Sequence, residues 1–192
     1  MDHGNPNAVI ADEAMFRDAY IPEKLFARET QMQEISRCLA PAVRRRKPMH
    51  IWLYGSHGAG KSVIAANTLN NLKARARIGT VHVNCWENDT CFEVLDSIVS
   101  ELRILRADEH RTSAKLERLR AYIRDQPFVI VLDDADRMAN GELGMAIQHL
   151  DSLGNVGVIC ISQDSGAVFD LDSRAASRLS PRLVMYAGRC TS

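Results

Sequence analysis

The chain has 192 residues, of which 46% are hydrophobic and 25% charged, and its formal net charge is zero. This length predicts one α/β domain with its own core and is too short for two domains of ordinary size. A net charge of zero excludes a global positive field that attracts nucleic acid, so DNA contact would need a local basic patch. The basic run at 44–47 is interpreted as a solvent-exposed helix end.

Cysteine usage and hydropathy restrict the cellular setting. The five cysteines are odd in number, and their spacing fits no zinc-binding template. Cys38 and Cys160 lie in apolar segments and are predicted to be buried thiols, which favours a reducing, cytoplasmic setting. No apolar run has the length of a membrane span, and the polar N-terminus lacks the core of a signal peptide. Residues 1–15 are predicted to form a flexible arm.

Hydrophobic periodicity predicts helices and short buried strands in alternation. The first predicted helix is capped by Thr30 and runs to about Arg46, before Pro48. Strands that alternate with helices, without tight hairpins, predict a three-layer α/β domain with a five-stranded parallel sheet flanked by helices. The other predicted helices are 61–76, 90–105, 113–125 and 143–150, and the predicted strands are 50–54, 80–84, 128–132, 156–161 and 182–186.

A glycine-rich loop joins the first predicted strand to the second helix. Residues 55–62 fit the phosphate-binding motif G-x-x-x-x-G-K-S/T at each fixed position. Glycines let backbone N–H groups converge on phosphate oxygens, and the helix that follows directs its positive end to the same place. Lys61 is expected to reach the β and γ phosphates of ATP, and Ser62 to bind Mg²⁺. The predicted nucleotide-binding residues here are Gly55, Ser56, His57, Gly58, Ala59, Gly60, Lys61, Ser62 and Val63, with His57 at a variable position of the motif.

Two carboxylates, Asp133 and Asp134, end the most apolar predicted strand. In a P-loop ATPase the first would hold Mg²⁺ through its water shell, next to Ser62. The second occupies the position of the carboxylate that activates the attacking water. A helix N-cap formed by Asp134 or Asp136 is the structural alternative. The pair therefore predicts metal binding and water activation at this end of the strand.

Four stretches carry a resemblance to a known family: residues 20–29, the phosphate loop, residues 83–90 and residues 158–179. Over roughly residues 16–186 the chain resembles the AAA+ ATPase core of archaeal replication initiators, the origin recognition complex and cell division control protein group. The resemblance implies an AAA+ fold that binds ATP or ADP with Mg²⁺. It also implies that Ile21 and Pro22 contact the adenine.

Further site residues follow from the resemblance alone. Residues 158–164 resemble the first sensor strand, in which Gln163 replaces the usual Asn that orients water or touches the γ phosphate. Residues 171–179 resemble the arginine-finger segment, with Arg178 as the finger by position and Arg174 as second choice. Such a finger acts in trans on the γ phosphate of a neighbouring subunit. A surface ion pair is the alternative for both arginines. The catalytic residues implied are Lys61, Asp134, Gln163 and Arg178.

Departures from the family qualify these expectations. Most relatives have Glu at the position of Asp134, and Asp is one methylene shorter. A displacement of the carboxylate by about 1 Å can lower a rate about a hundredfold. The family continues into a helical lid and a DNA-gripping winged-helix domain, and neither follows in this sequence. We therefore expect residues 16–192 to form an AAA+ core without those parts, with slow hydrolysis and weakened origin recognition.

Three functions stay open at this point. The leading one is an Mg-ATP-binding ATPase domain whose slow hydrolysis is coupled to assembly with another copy or with full-length initiator subunits. The alternative is a non-hydrolysing, nucleotide-dependent interaction module that regulates such initiators, which Asp134 and Gln163 favour. A small-molecule P-loop kinase is disfavoured, because no arginine-rich lid is found. Direct DNA binding stays open through residues 90–111, where relatives insert a DNA-contacting helix.

Overall fold

A computed structural model of the protein describes residues 23–104, 111–124, 126–138, 141–163 and 182–185. For residues 23–28, 182, 183 and 185 it describes the backbone alone. Helices α1 to α5 span Glu23–Val43, Lys61–Lys73, Cys91–Glu101, Thr112–Ile123 and Glu142–Asp151. Strands β1 to β5 span Ile51–Tyr54, Gly79–Asn84, Phe128–Asp133, Val156–Ser162 and Arg182–Met185. A short 3-10 turn, Ala135–Arg137, follows β3.

The strands form one parallel sheet in the order β2-β3-β4-β1-β5. Strands β3 and β4 lie side by side in its interior, paired from Phe128 with Val156 to Leu132 with Cys160. The short strand β5 pairs with β1 at one edge. Because all strands run the same way, their carboxyl ends, and the loops that follow them, lie along one edge of the sheet. The predicted α/β class, a parallel sheet flanked by helices, is confirmed.

The core lies in two layers, one on each face of the sheet. Alternate residues of β3 divide between them: Phe128, Ile130 and Leu132 face the layer formed with α3, α4 and α5. Val129 and Val131 face the layer formed with α1 and α2. Side chains of a strand point alternately to opposite faces of the sheet. A strand that is covered on both faces, as β3 is, therefore needs apolar residues at consecutive positions.

Helix α1 differs from its prediction at both ends. It begins at Glu23, so Thr30 lies inside the helix. Residues 23–29 are mostly strong helix formers, which extend the helix past the weaker cap signal. It ends at Val43, where Arg45 adopts the left-handed conformation and the N–H of Arg46 donates to the carbonyl of Pro41 at 3.0 Å. This Schellman motif ends the helix well before Pro48.

Helix α3 begins where it was predicted. Thr90 is its N-cap, and a capping box links Thr90 and Glu93, with the Glu93 N–H donating to the Thr90 hydroxyl at 3.3 Å. The helix ends at Glu101, four residues before the predicted end. The last residue of that prediction, residue 105, lies outside the described part of the chain.

Three polar side chains meet at the amino edge of the sheet, and we name Lys47, His50 and Asp151 the amino-edge cluster. The buried His50 accepts a hydrogen bond at Nδ1 from the Val158 N–H at 3.1 Å, so its Nε2 carries the proton and donates to Asp151 at 2.9 Å. Lys47 also pairs with Asp151. Burial lowers the pKa of His50, although the hydrogen bond to Asp151 opposes that effect. Each ring nitrogen of His50 therefore has a partner, and the neutral ring is favoured.

Candidate functional site

The phosphate loop lies between β1 and α2, at the carboxyl edge of the sheet. As predicted from sequence, the motif follows a strand and begins a helix. Gly58 and Gly60 have φ angles of 70° and 91°, a left-handed backbone that side chains other than glycine rarely adopt. Ser56, His57 and Gly58 are exposed at the tip of the loop. The loop therefore presents its backbone to solvent directly before the positive end of α2.

Lys61 is held inside this loop. Its side chain is only 8% exposed, and its Nζ donates to the carbonyls of Gly55 at 2.7 Å and Ser56 at 3.0 Å. Burial lowers the pKa of this amine, and the nearby carboxylates of Asp133 and Asp134 partly offset that effect. The positive charge of Lys61 thus lies at the base of the loop. An anion that enters the loop can replace the two carbonyls as the acceptor of the hydrogen bonds from Lys61.

Asp133 ends β3 beside the phosphate loop. Its carboxylate accepts hydrogen bonds from the Asp134 N–H at 3.1 Å and from the ring of His82 at 3.1 Å, and the Ser62 hydroxyl lies near enough to influence it. Burial alone would raise the pKa of Asp133, but the hydrogen bond from His82 and the nearby Ser62 hydroxyl outweigh that effect and the pKa is lowered. The structure therefore brings the two predicted metal-binding residues together and favours the ionised carboxylate.

Sequence reasoning missed His82. His82 lies at an exposed position of β2, between the buried Val81 and Val83, and about half of its side chain is accessible to solvent. The hydrogen bond to Asp133 raises the pKa of His82 against the opposing effect of burial. The sequence signal that could have identified His82 is a histidine at an outward-facing position of β2, the strand that pairs with β3. We name Lys61, His82 and Asp133 the site cluster.

Asp134 and Asp136 occupy the turn after β3. Asp134 has a φ of 53°, a left-handed conformation that Asp tolerates better than most residues, and its side chain makes no capping bond. Asp136 accepts a hydrogen bond from the Gln163 N–H at 3.3 Å. Asp134 therefore stands at the N-cap position of the turn without a capping bond from its side chain, and Asp136 lies inside the turn, so neither carboxylate caps it.

Gln163 follows β4, between the acidic turn and the phosphate loop. Its side chain is exposed, and its carbonyl accepts a hydrogen bond from the Gly55 N–H at 3.1 Å. Val63, the last residue of the predicted nucleotide-binding set, is 62% exposed on α2. The predicted adenine contacts Ile21 and Pro22 and the finger candidates Arg174 and Arg178 lie outside the described residues.

The residues present fit a magnesium nucleotide. Ser62 and Asp133 offer hard oxygen ligands of the kind that Mg²⁺ takes. Lys61, the left-handed glycines and the first turn of α2 offer a charge and backbone donors for phosphate oxygens. The arrangement can hold a phosphate chain in the loop with a divalent cation beside it.

Comparison with known proteins agrees with this geometry. The family model of the AAA ATPase domain matches residues 24–159. This chain belongs to the AAA ATPase domain family. ORC1-type DNA replication protein 3 of Haloarcula marismortui is 27% identical over 95% of this chain and 52% of the relative. The predicted resemblance to archaeal replication initiators is therefore confirmed.

Solved structures of the same group share the fold of this AAA domain. The crystal structure of Cdc6p from Pyrobaculum aerophilum has a TM-score of 0.72 at 22% identity, covering 91% of this chain and 49% of that protein. The Aeropyrum pernix ORC1 protein, solved in complex with DNA, has a TM-score of 0.69 at 25% identity, covering 83% and 44%. The AAA domain described here thus spans about half the length of the relatives it matches. Within its described ranges, no helix is long and apolar enough to cross a membrane.

Proposed function

We propose that this AAA domain binds Mg-ATP and hydrolyses it slowly, in a cycle coupled to assembly with partner subunits. The observation that carries the proposal is the buried Lys61 in the phosphate loop, bonded to two loop carbonyls, with Ser62 and Asp133 close together beside it. Lys61 would exchange its two carbonyl partners for phosphate oxygens. Ser62 and Asp133 would hold the magnesium ion, which supplies charge neutralisation of the phosphates.

The remaining roles are assigned to residues around this centre. Asp134 would orient and deprotonate the attacking water, and Gln163 would contact the γ phosphate from the end of β4. Arg178 would act in trans on the γ phosphate of a neighbouring subunit. Ile21 and Pro22 would contact the adenine. These roles follow the resemblance to replication initiators, and each one is a separate proposal.

Partner subunits of the initiator type are proposed because the relatives are DNA replication proteins. The second candidate function is a nucleotide-dependent interaction module that does not turn over. The observation that favours it is the short side chain of Asp134, held in a left-handed turn. The formal net charge of the chain is zero, so the domain has no overall positive charge to attract DNA. We therefore propose that DNA contact is secondary and made by the assembly with partner subunits.

One experiment separates these functions. ATP affinity and turnover are measured on the same purified sample for the wild type, Lys61→Ala and Asp134→Ala. Lys61→Ala is expected to weaken binding by about a hundredfold or more, and Asp134→Ala to abolish turnover while binding is kept. Tight binding without turnover in the wild type would select the interaction module. Wild-type affinity no better than that of Lys61→Ala would overturn the proposal as a whole.

A further inference from the structure

A line of hydrogen bonds crosses the carboxyl edge of the sheet from β3 to β1. It starts at Asp136, whose Oδ2 accepts the Gln163 N–H at 3.3 Å. It continues through the Gln163 carbonyl, which accepts the N–H of Gly55 at 3.1 Å. The backbone pairing of β3 with β4 ends at Leu132 and Cys160. The bond from the Gln163 N–H to the Asp136 carboxylate links the two segments just beyond that point. The backbone of Gln163 is thereby fixed on both sides, to the acidic turn and to the phosphate loop.

The second oxygen of Asp136 adds an independent observation. Oδ1 is buried and has no hydrogen-bond partner among the described residues. A buried polar atom without a partner is destabilising, and such atoms in native proteins call for an explanation such as a functional role or an unseen water or ion. The charge of Asp136 also acts on Lys61. This carboxylate therefore lies within the electrostatic reach of the nucleotide site, although its only described hydrogen bond is to Gln163.

We propose that Asp136 is a positioning residue, which holds Gln163 in register with the phosphate loop so that its side chain can respond to a γ phosphate. The inference deepens the proposed function and depends on it. Asp136 itself does not touch the nucleotide. Its effect passes through the Gln163 backbone, while the unpartnered Oδ1 is available to a water or donor that arrives when the site fills.

The test compares nucleotides that differ by the γ phosphate and needs no turnover. Dissociation constants for ADP and for a non-hydrolysable ATP analogue, both with Mg²⁺, are measured for the wild type, Asp136→Ala, Gln163→Ala and the double variant. Asp136→Asn keeps one carbonyl acceptor for the Gln163 N–H. Glu142→Ala is the matched control, because Glu142 also accepts a backbone N–H, from Cys91 at 2.7 Å, but on the α3 and α5 side of the fold.

The expected result is a change in the ratio of the two dissociation constants. Asp136→Ala and Gln163→Ala should each shift the ratio towards ADP by about tenfold, the scale of one hydrogen bond to a charged group. The double variant should shift it no further, because both substitutions remove one interaction. Asp136→Asn should stay near the wild type, and Glu142→Ala should lower thermal stability without changing the ratio.

Three patterns of the dissociation-constant ratio would overturn the positioning role. One is a ratio that Asp136→Ala, folded by circular dichroism, leaves at the wild-type value. Another is a double variant whose effect is the product of the single effects. A ratio that Gln163→Ala does not change also removes the proposal, since Asp136 would then have nothing to act through. Absence of nucleotide binding in the wild type would instead mark failure of the proposed function.

Discussion

The amino-edge cluster and the site cluster contain the same three residue types, a lysine, a histidine and an aspartate, at opposite ends of the sheet. In the amino-edge cluster the histidine is buried and both of its ring nitrogens have partners within the protein. In the site cluster the histidine is half exposed, and the lysine amine is held by two loop carbonyls. The first set is closed, whereas the second holds groups that a ligand can replace.

The difference shows that residue type alone does not mark a site. What distinguishes the two clusters is where they lie and whether their hydrogen bonds are complete. The carboxyl edge also carries the left-handed Gly58, Gly60 and Asp134 and the unpartnered oxygen of Asp136. A left-handed aspartate and an unpartnered buried oxygen are both features that occur at functional sites.

The largest expected contrast is in stability. Replacing His50 by Ala removes one buried and one part-buried hydrogen bond and leaves the Val158 N–H without a partner, so the free energy of unfolding should fall by about 2–4 kcal/mol. Replacing His82 by Ala should cost less than about 1 kcal/mol, because its ion pair is half exposed. Urea denaturation of both variants checks this. Equal losses would show that the two clusters do not differ as described.

A pH dependence should follow from His50. Its pKa is lowered in the folded protein, so below the unfolded pKa of about 6.5 the unfolded state binds more protons. The stability that the neutral ring contributes is present above that pH and is lost as the pH falls below it. The loss can reach at most about 1.4 kcal/mol per pH unit. Urea midpoints at pH 7.5 and 5.5 should therefore differ less in His50→Gln than in the wild type, and an equal difference would contradict the assignment.

The smallest expected effect concerns magnesium. His82 orients the Asp133 carboxylate, so His82→Ala should raise the Mg²⁺ concentration needed for ATP binding by about threefold to tenfold. His82→Gln can still donate to Asp133 and is the control, expected near the wild-type value. A magnesium requirement unchanged in His82→Ala would show that Asp133 needs no such support.

Much of the fold could be predicted because its signals are local. The glycine pattern of the phosphate loop, the apolar run of β3 and the capping box at Thr90 each specify their structure within a few residues. The start of α1 could not be placed, since a preference for helix over 23–29 competes with the cap signal of Thr30. Local cues of similar strength leave an element boundary undecided.

The site residues that stand in a single sequence motif were predicted. The contacts between segments that are distant in the sequence were missed. Lys61, Ser62 and Asp133 stand in motifs with fixed spacing, and the structure brings them together. The contact of His82 with Asp133 depends on strand order, which the sequence does not state. The bond from Gln163 to Asp136 likewise needs β4 beside β3. Interactions between distant segments require the register of the sheet.

The central claim is that the phosphate loop is the nucleotide site. Its most direct test replaces Lys61 of the site cluster and Lys47 of the amino-edge cluster by alanine, one at a time. The Mg-ATP dissociation constant is measured by equilibrium titration for the wild type, Lys61→Ala and Lys47→Ala. Lys61→Ala should weaken binding by about a hundredfold or more, since the amine would make charge-assisted hydrogen bonds to phosphate. Lys47→Ala, in the amino-edge cluster, should bind as the wild type does. Equal affinities for all three proteins would contradict the claim that the phosphate loop is the nucleotide site.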